Sequence, residues 1–556
     1  HPADIRCSAM KAKPTTHGHD EVHHPTRNHE MVAIGNKQRP LRDGGGLTSH
    51  GNYRPTRRGR PLLTGMGARI LTLVAHLGLP QALQHNLMGL QERHPYTERY
   101  LHRIREIMAT DTGCPTQLTH HVEQGQPFTL DLLHHMTAHI GDPDCTFLLE
   151  ARTGVPLGVE EDIPPAHGVW PYKDAWYDEE TSPDALEEPH AEDNYPSAWE
   201  YESAIAQTYE DDAREGLVSG PHTVEAAAHL CRCHPRDLCY VPLAAKREGP
   251  GKIRTVNDGT ATGVNIHIKH HLPQQTTTPQ IHDLLHGIAT MIHEQREQEA
   301  AHPGGGQGEA ARAPSPCPHL GDPAAPLRWR TTPPHLLKLD VSKAHRRVKI
   351  LQKDWRYTVA RVQDKVYINK VGTFGIASAQ YYWGRMAAIA IRLLYHIFPT
   401  EGWYFVYVDD FMFLMHPQEP WQRAAAITAT LIALGFPLSW KKTGLGHAST
   451  WLGFLCDATL GTVTLAPHKI TTTLCLLDTV IENRPQSVKQ VQHIAGVLNW
   501  ATTAYPILRP FLYYVYTWLQ GAERAQSPTT PDRRVRLLAL ATRILTLRPP
   551  QTHPYF

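Results

Sequence analysis

Hydrophobic and polar positions are most regularly ordered between residues 334 and 520. Two runs there, "WYFVY" (403–407) and "FMFLM" (411–415), are strong strand formers with very little between them. They predict a β-hairpin with its turn at Val408-Asp409-Asp410. "HLLKLDVSKAHRRVKI" (335–350) opens with a short apolar strand ending near Asp340, and "SKAH" then turns away from it. Upstream, "MGARILTLVAHLGL", "TERYLHRIREIM" and "TLDLLHHMTAHI" carry apolar residues at helical spacing, which predicts a small helical unit over about 66–140. Residues 239–270, notably "CYVPLAAKREGPGKIRTVNDG", read as strands around turns, and the acidic, proline-bearing stretch 155–200 as an extended connection. Residues 1–65 lack apolar periodicity and read as a disordered basic arm, and the Gly/Ala/Pro-rich stretch 299–326 as a flexible insertion.

At 556 residues the chain is too long for one ordinary core, so roughly two or three folded units are expected. A net charge of +1 predicts no polyanion partner, but the charge is unevenly spread. From Glu160 to Glu215 there are 18 acidic residues against two basic ones, which leaves the remainder near +17. That asymmetry suits a basic working surface with an acidic segment that is solvated or masks it. A solvated linker without a role explains the acidic part equally well. The nine cysteines are scattered and no signal peptide is visible, so free thiols in a reducing compartment are expected. "HLCRCH", with His229, Cys231, Cys233 and His234, has zinc-compatible spacing, yet no second ligand pair stands at a familiar distance. The longest apolar run, "IASAQYYWGRMAAIAIRLLYHIF", is interrupted by Arg385 and Arg392, so no membrane span is expected.

The chemistry centres on Asp409 and Asp410. Adjacent carboxylates beside apolar runs are costly unless a cation compensates them. The plain alternative is a solvated turn, for which Asp is a common residue, although Asn-Gly or Asp-Gly would form it better. Asp340 supplies a third carboxylate if its strand pairs beside the hairpin. Three convergent carboxylates suit two Mg²⁺ ions about 4 Å apart, the arrangement that activates an attacking hydroxyl and stabilises a leaving oxygen.

"YVDD" (407–410) resembles the Tyr-x-Asp-Asp box of reverse transcriptases, and "LKLDVSKAHRRVKI" resembles their first palm motif. Five further segments are similar to family segments, in the family's order. "KIRTVNDG" (252–259) resembles the fingers segment, which makes Arg254 the triphosphate-contacting arginine with Lys252 and Lys246 nearby. "VGTFGIASAQYYWGRM" (371–386) resembles the second palm motif and implies Phe374 and Gly375 against the nascent base pair. "LGFPLSWKKTGLG" (434–446) implies Lys441 or Lys442 as the acid near the departing pyrophosphate. "TWLGFLCD" (450–457) resembles the primer grip, with Trp451, Leu452 and Gly453, and "SVKQVQHIAGVLNWA" (487–501) then resembles the start of a helical thumb. The flavour is that of retrotransposons, especially the tyrosine-recombinase (DIRS-like) group.

The resemblance implies an α+β right-hand polymerase with palm, fingers and helical thumb, preceded by a helical N-terminal region. It divides the chain into a basic arm (1–65), a helical unit (66–150), an acidic connection with a helical segment (151–235), fingers (236–298), the insertion (299–328), palm with primer grip (329–466) and thumb with the start of a connection (467–556). It implies RNA-directed DNA synthesis on an RNA or DNA template with primer, using deoxynucleoside triphosphates. Asp340 and Asp409 would hold two Mg²⁺ ions, for which Mn²⁺ can substitute, with the Val341 carbonyl as a further ligand and Asp410 in support. Tyr407 and Val408 would pack near the primer end. The family's aromatic sugar-excluding residue is replaced here by His345, whose ring is smaller and can be protonated. Two rival readings follow: a nucleic-acid-binding remnant without catalysis, and an RNA-templated RNA polymerase. No ribonuclease H, integrase, recombinase or aspartic protease motif is visible, which reads as a piece of a longer polyprotein or a decaying copy. A retroelement polymerase would act in the cytoplasm or nucleus.

Overall fold

Alternation along the strands that flank Asp409 sends side chains to two different cores, which is why both runs look uniformly apolar. In the computed structural model, strands β1–β12 are Val218–His222, Leu243–Gly249, Lys252–Asn257, His335–Asp340, Val359–Val362, Lys365–Asn369, Trp403–Tyr407, Asp410–Met415, Gly444–Gly446, Ala448–Trp451, Phe454–Asp457 and Thr462–Leu465. Tyr404, Val406, Phe411 and Phe413 of β7 and β8 enter the larger core, with Leu337 and Leu339 of β4. Their neighbours Trp403, Phe405, Met412 and Leu414, with Leu336, enter a second core on the other face.

The structure describes residues 62–173, 187–249, 251–301, 332–399, 402–483, 485 and 487–548. Most of the expected basic arm and most of the Gly/Ala/Pro-rich insertion lie outside these residues. The central sheet is antiparallel, in the order β7-β8-β4-β9. One face is covered by helix Ala377–Ile397, of which 18 residues are buried, as expected of a helix apolar on every side. Helix Ile281–Ala301 and the three-stranded sheet β10-β11-β12 supply residues to the core on the other face. Helices Pro467–Ile481, Val488–Ala501, Leu512–Ala525 and Arg533–Leu547 build a separate core of their own. Side chains of Ser487 and Asp532 cap two of them. Among the described residues, no helix is long and apolar enough to cross a membrane.

Four expectations change. The helices expected over 66–140 form, but they are not a separate unit: Ile70, Leu101, Leu133 and Phe147 share one core with the central sheet. Residues 155–173 run through bends and a turn and not as extended chain, and Val155, Leu157, Ile163 and Trp170 are buried in that same core, so this part is packed chain and not a solvated connection. Residues 264–270, the end of the stretch expected as strands around turns, belong instead to helix Val264–His271. There Val264, Ile266 and Ile268 alternate as in a strand, but only Val264 and Ile268 are buried, four residues apart, while Ile266 is 47% exposed. The turn at the aspartates holds only Val408 and Asp409, since Asp410 opens β8 opposite Tyr407. In "HLCRCH", Cys231 is a core residue beside Ala227 and Leu238, and burial pushes its thiol up to about 12.

Two ion pairs fasten the N-terminal helices to helix Ala377–Ile397. Arg385 donates to Asp144 at 2.7 Å and Arg392 to Asp142 at 2.6 Å, each pair all but excluded from water. Removing one partner leaves the other charge buried alone, so Asp144→Ala is expected to cost about 3–5 kcal/mol. Adding Arg385→Met should recover most of that loss. Denaturant unfolding of the single and double variants checks this, and an equal loss in both would contradict it.

Candidate active site

Register brings the three aspartates together. Asp340, the last residue of β4, lies directly opposite Asp410, the first of β8, and the Val341 N–H donates to the Asp409 carbonyl at 3.0 Å. All three carboxylates therefore sit at one end of the two central strands. The turn between them is strained. Val408 has φ 55°, a left-handed conformation that costs a β-branched residue about 1–3 kcal/mol. Trp383 holds it there, its indole N–H donating to the Val408 carbonyl at 2.6 Å. Val341 is itself buried and bridged to Leu438.

Cationic side chains face the cluster. Lys442 Nζ donates to Asp340 Oδ2 at 2.7 Å. Lys338 Nζ stands 3.7 Å from Asp410 Oδ1 and donates to the Thr450 carbonyl at 2.9 Å. Burial, and then the Asp340 charge, raise Asp409 above the usual carboxylate range, against Lys442 and Arg254. Asp410 is also raised, chiefly by burial and by the other two aspartates, with Lys338 opposing. Burial pulls the Lys442 ammonium down, but its bond to Asp340 and the three carboxylate charges hold it above the usual lysine range. A partly buried, mutually repelling set of oxygen donors is chemically suited to hard divalent cations. As the side chains lie, no three His, Cys, Asp or Glu residues among those described close into a metal-holding group. Lys442 already occupies one Asp340 oxygen.

A second constellation gathers around Arg254, whose charge acts on Asp409. The Arg254 guanidinium lies 4.9 Å from the centre of the Phe374 ring, and Phe374 lies 4.7 Å from the His345 ring. Burial and the Arg254 charge lower His345 to about 4, so its imidazole is neutral near pH 7 despite the capacity for protonation noted in the sequence. Gly375 has φ 96°, and a Cβ there would stand 1.9 Å from the Asn257 carbonyl oxygen, so no other residue fits. The Asn257 N–H donates to the Phe374 carbonyl at 2.9 Å and the Asn265 amide to the Gly375 carbonyl at 2.7 Å. Lys246 pairs across β2 and β3 with Arg254, while Glu248 accepts from both Lys252 and Arg254.

Other candidates separate. Lys441 turns away to Glu92 at 2.6 Å, leaving Lys442 as the one of the pair at the carboxylates. Trp451 is fully buried with its ring 6.0 Å from that of Phe405, so its side chain is core and not a free contact for a primer. Leu452 and Gly453, both with positive φ, form the tip of the β10–β11 turn. The Trp500 indole N–H donates to the Leu452 carbonyl at 3.2 Å, tying this tip to helix Val488–Ala501. Tyr407 is packed beside the second core and Val408 beside the first.

Sequence reasoning missed Lys338, Trp383, Asn257 and Asn265. For Lys338 a signal was present: in "LKLD" it stands two residues before Asp340, hence on the same face of the strand. The other three act through bonds between distant segments, which no local pattern announces.

An acid whose folded pKa is raised is penalised in the fold once ionised, and the penalty vanishes below the unfolded value, about 3.9 for aspartate. Asp409→Asn is therefore expected to raise the thermal midpoint of the chelator-treated protein at neutral pH, with the gain fading as the pH falls towards 4. Melting curves across that range check the sign, and a gain that persists at the acid end would contradict it.

No protein-family profile and no curated protein matches this chain. It is similar to solved structures of a foamy viral protease-reverse transcriptase. One, the form designated dRH in complex with double-stranded DNA, is 15% identical with a TM-score of 0.41, covering 74% of this chain and 57% of that one. Another, in complex with double-stranded DNA, is 16% identical with a TM-score of 0.40 over 72% and 66% of the two chains. A third, in complex with an RNA/DNA hybrid, is 14% identical with a TM-score of 0.39 over 64% and 38%. This chain thus spans between 38% and 66% of the length of those proteins. A likeness so loose assigns no activity, and the chemistry has to be read from the site itself.

Proposed function

We propose that this chain is a template-directed nucleotidyltransferase, an RNA-directed DNA polymerase of retrotransposon kind. The observation that carries the reading is the pairing of Asp340 with Asp410 beside the Asp409 turn, where the charge of Arg254, itself stacked with Phe374 and His345, is felt. A cluster of hard oxygen donors, with a cation and two rings near it, supports the reading because a triphosphate, a sugar and a base need such partners.

Asp340 and Asp409 would hold two Mg²⁺ ions, with Asp410 in support. When bound, such ions lower the pKa of an attacking hydroxyl and neutralise charge on a transferring phosphoryl group. The protein's own groups do the rest. Arg254, with Lys246 and Lys252 beside it on one hairpin, holds the triphosphate by charge. Phe374 and His345 form an aromatic floor under base and sugar, and Gly375 lets the backbone come close. Lys442, kept protonated by its carboxylate neighbours, carries a proton to the departing pyrophosphate once it leaves Asp340. Val408 and Tyr407 border the primer end, and the Leu452–Gly453 tip supports it through backbone. Phosphate contacts along the basic surface hold template and primer without reading sequence.

One observation favours a second reading, a remnant that binds nucleic acid without catalysis: Lys442 and Lys338 already provide counter-charge at Asp340 and Asp410.

Primer extension on an RNA template with deoxynucleotides and Mg²⁺ separates the two. The unmutated chain is expected to extend, and Asp409→Ala to lose activity by on the order of a thousandfold while binding template-primer as before. Salt-dependent binding without extension by the unmutated chain would establish the remnant, and preference for ribonucleotides would mark an RNA polymerase. Mg²⁺ at about a hundred times its dissociation constant should also stabilise the unmutated fold by about 2.7 kcal/mol and leave Asp409→Ala nearly unmoved.

A further inference from the structure

Helix Glu202–Arg214, inside the acidic segment, reaches the loop that follows Asp340. Asp212 is only 2% exposed, and it accepts from two cations of that loop: Lys343 Nζ at 2.8 Å on Oδ1 and Arg346 at 3.0 Å on Oδ2. These two residues flank His345. Glu215, just past the helix, accepts from Lys343 at 2.6 Å and faces Arg347 at 3.5 Å. Arg346 also donates to the Asn369 side chain at 2.9 Å. Lys343 has φ 52°, a left-handed backbone that the ion pairs hold in place.

The same helix reaches the other ring. Tyr209 is fully buried, and its hydroxyl donates to Asn257 Oδ1 at 3.0 Å. Asn257 in turn holds the Phe374 carbonyl through its own N–H. One helix therefore fixes the backbone on both sides of the 4.7 Å contact between His345 and Phe374. A solvated linker would not bury an aspartate against two cations. Replacing such a network with apolar residues is often neutral for stability, which leaves geometric definition of the loop as its distinctive effect.

We propose that Asp212 is a positioning residue that, through Lys343 and Arg346, seats the His345 ring against Phe374 and thereby sets the preference for deoxyribonucleotides over ribonucleotides. This rests on the polymerase reading above, in which the two rings form the floor under the sugar. A histidine ring has less surface than the aromatic residue of the resembling family, so its exclusion of a 2′-hydroxyl depends on where the loop places it.

The test uses the full chain and single-nucleotide primer extension with a deoxynucleotide and its ribonucleotide counterpart. Asp212→Asn is expected to lower the deoxy-to-ribo ratio of kcat/KM by about tenfold, mainly through a lower KM for the ribonucleotide, with kcat for the deoxynucleotide within about threefold. Asp212→Glu should restore most of the ratio. In a His345→Ala background, Asp212→Asn should leave the ratio unchanged, because the ring it positions is gone. An unchanged ratio in folded Asp212→Asn overturns the proposal, as does a fall in kcat with the ratio intact, which marks a scaffold role. Should Asp212→Asn fail to fold, Lys343→Gln probes the same loop from its more exposed side. A smaller loss of ratio is expected there, and no loss overturns the proposal. Absence of extension by the unmutated chain with either nucleotide would remove the polymerase reading itself, and the proposal with it, whereas extension with an unmoved ratio removes the proposal alone.

Discussion

Everything at the candidate site depends on the antiparallel pairing of β4 with β8. Because side chains alternate along a strand, a slip of one residue would send Leu337, Leu339, Phe411 and Phe413 out of one core and into the other. Two cores of different shape, one on each face, therefore specify the register strongly. The register in turn brings Asp340 opposite Asp410. Apolar packing, with no direct interest in charge, is what assembles the carboxylates.

That assembly opposes stability. Asp409 and Asp410 are raised by burial and by neighbouring carboxylates, Asp340 acting on both, the turn between the strands carries a strained valine, and a glycine nearby is held against backbone where no Cβ fits. The fold tolerates the charge by aiming Lys442, Lys338 and Arg254 at it from three separate segments. It tolerates the strain by anchoring Val408 to Trp383 on the buried helix beneath. Such a concentration of unfavourable features is typical of sites held ready for a ligand.

Charge also organises the periphery. The acidic segment does not simply hang in solvent: Asp212 and Glu215 take up the basic residues that follow Asp340, while Glu160 and Glu161 pair with Arg356 and Lys353. On the opposite side, Asp142 and Asp144 reach into helix Ala377–Ile397. The N-terminal helices are thus joined to the central sheet by a shared core and to the helix that covers it by buried ion pairs, and the boundary implied by the change in sequence character does not appear as a break in packing.

Local pattern alone carried the hairpin at 403–415, the strand ending at Asp340 and the helices over 66–140, because strand and helix periodicities are short-range properties of the chain; that Asp340 meets the hairpin stood only as a condition, and the pairing of β4 with β8 supplied it. Local pattern misread 264–270, where valine and isoleucines alternate by chance in a helix, and it took 155–200 for a connection because prolines and acids outnumber the apolar residues across that stretch, although those of its first part are buried. It left Lys441 and Lys442 equivalent, since adjacent residues differ only in the direction their side chains leave the backbone. Tertiary structure decided those directions, buried Trp451, turned Lys338 to Asp410 and closed Asp212 onto Lys343 and Arg346. Each of these contacts joins segments far apart in the chain, and which segments meet is settled by packing of the whole, a quantity that no short stretch of sequence contains.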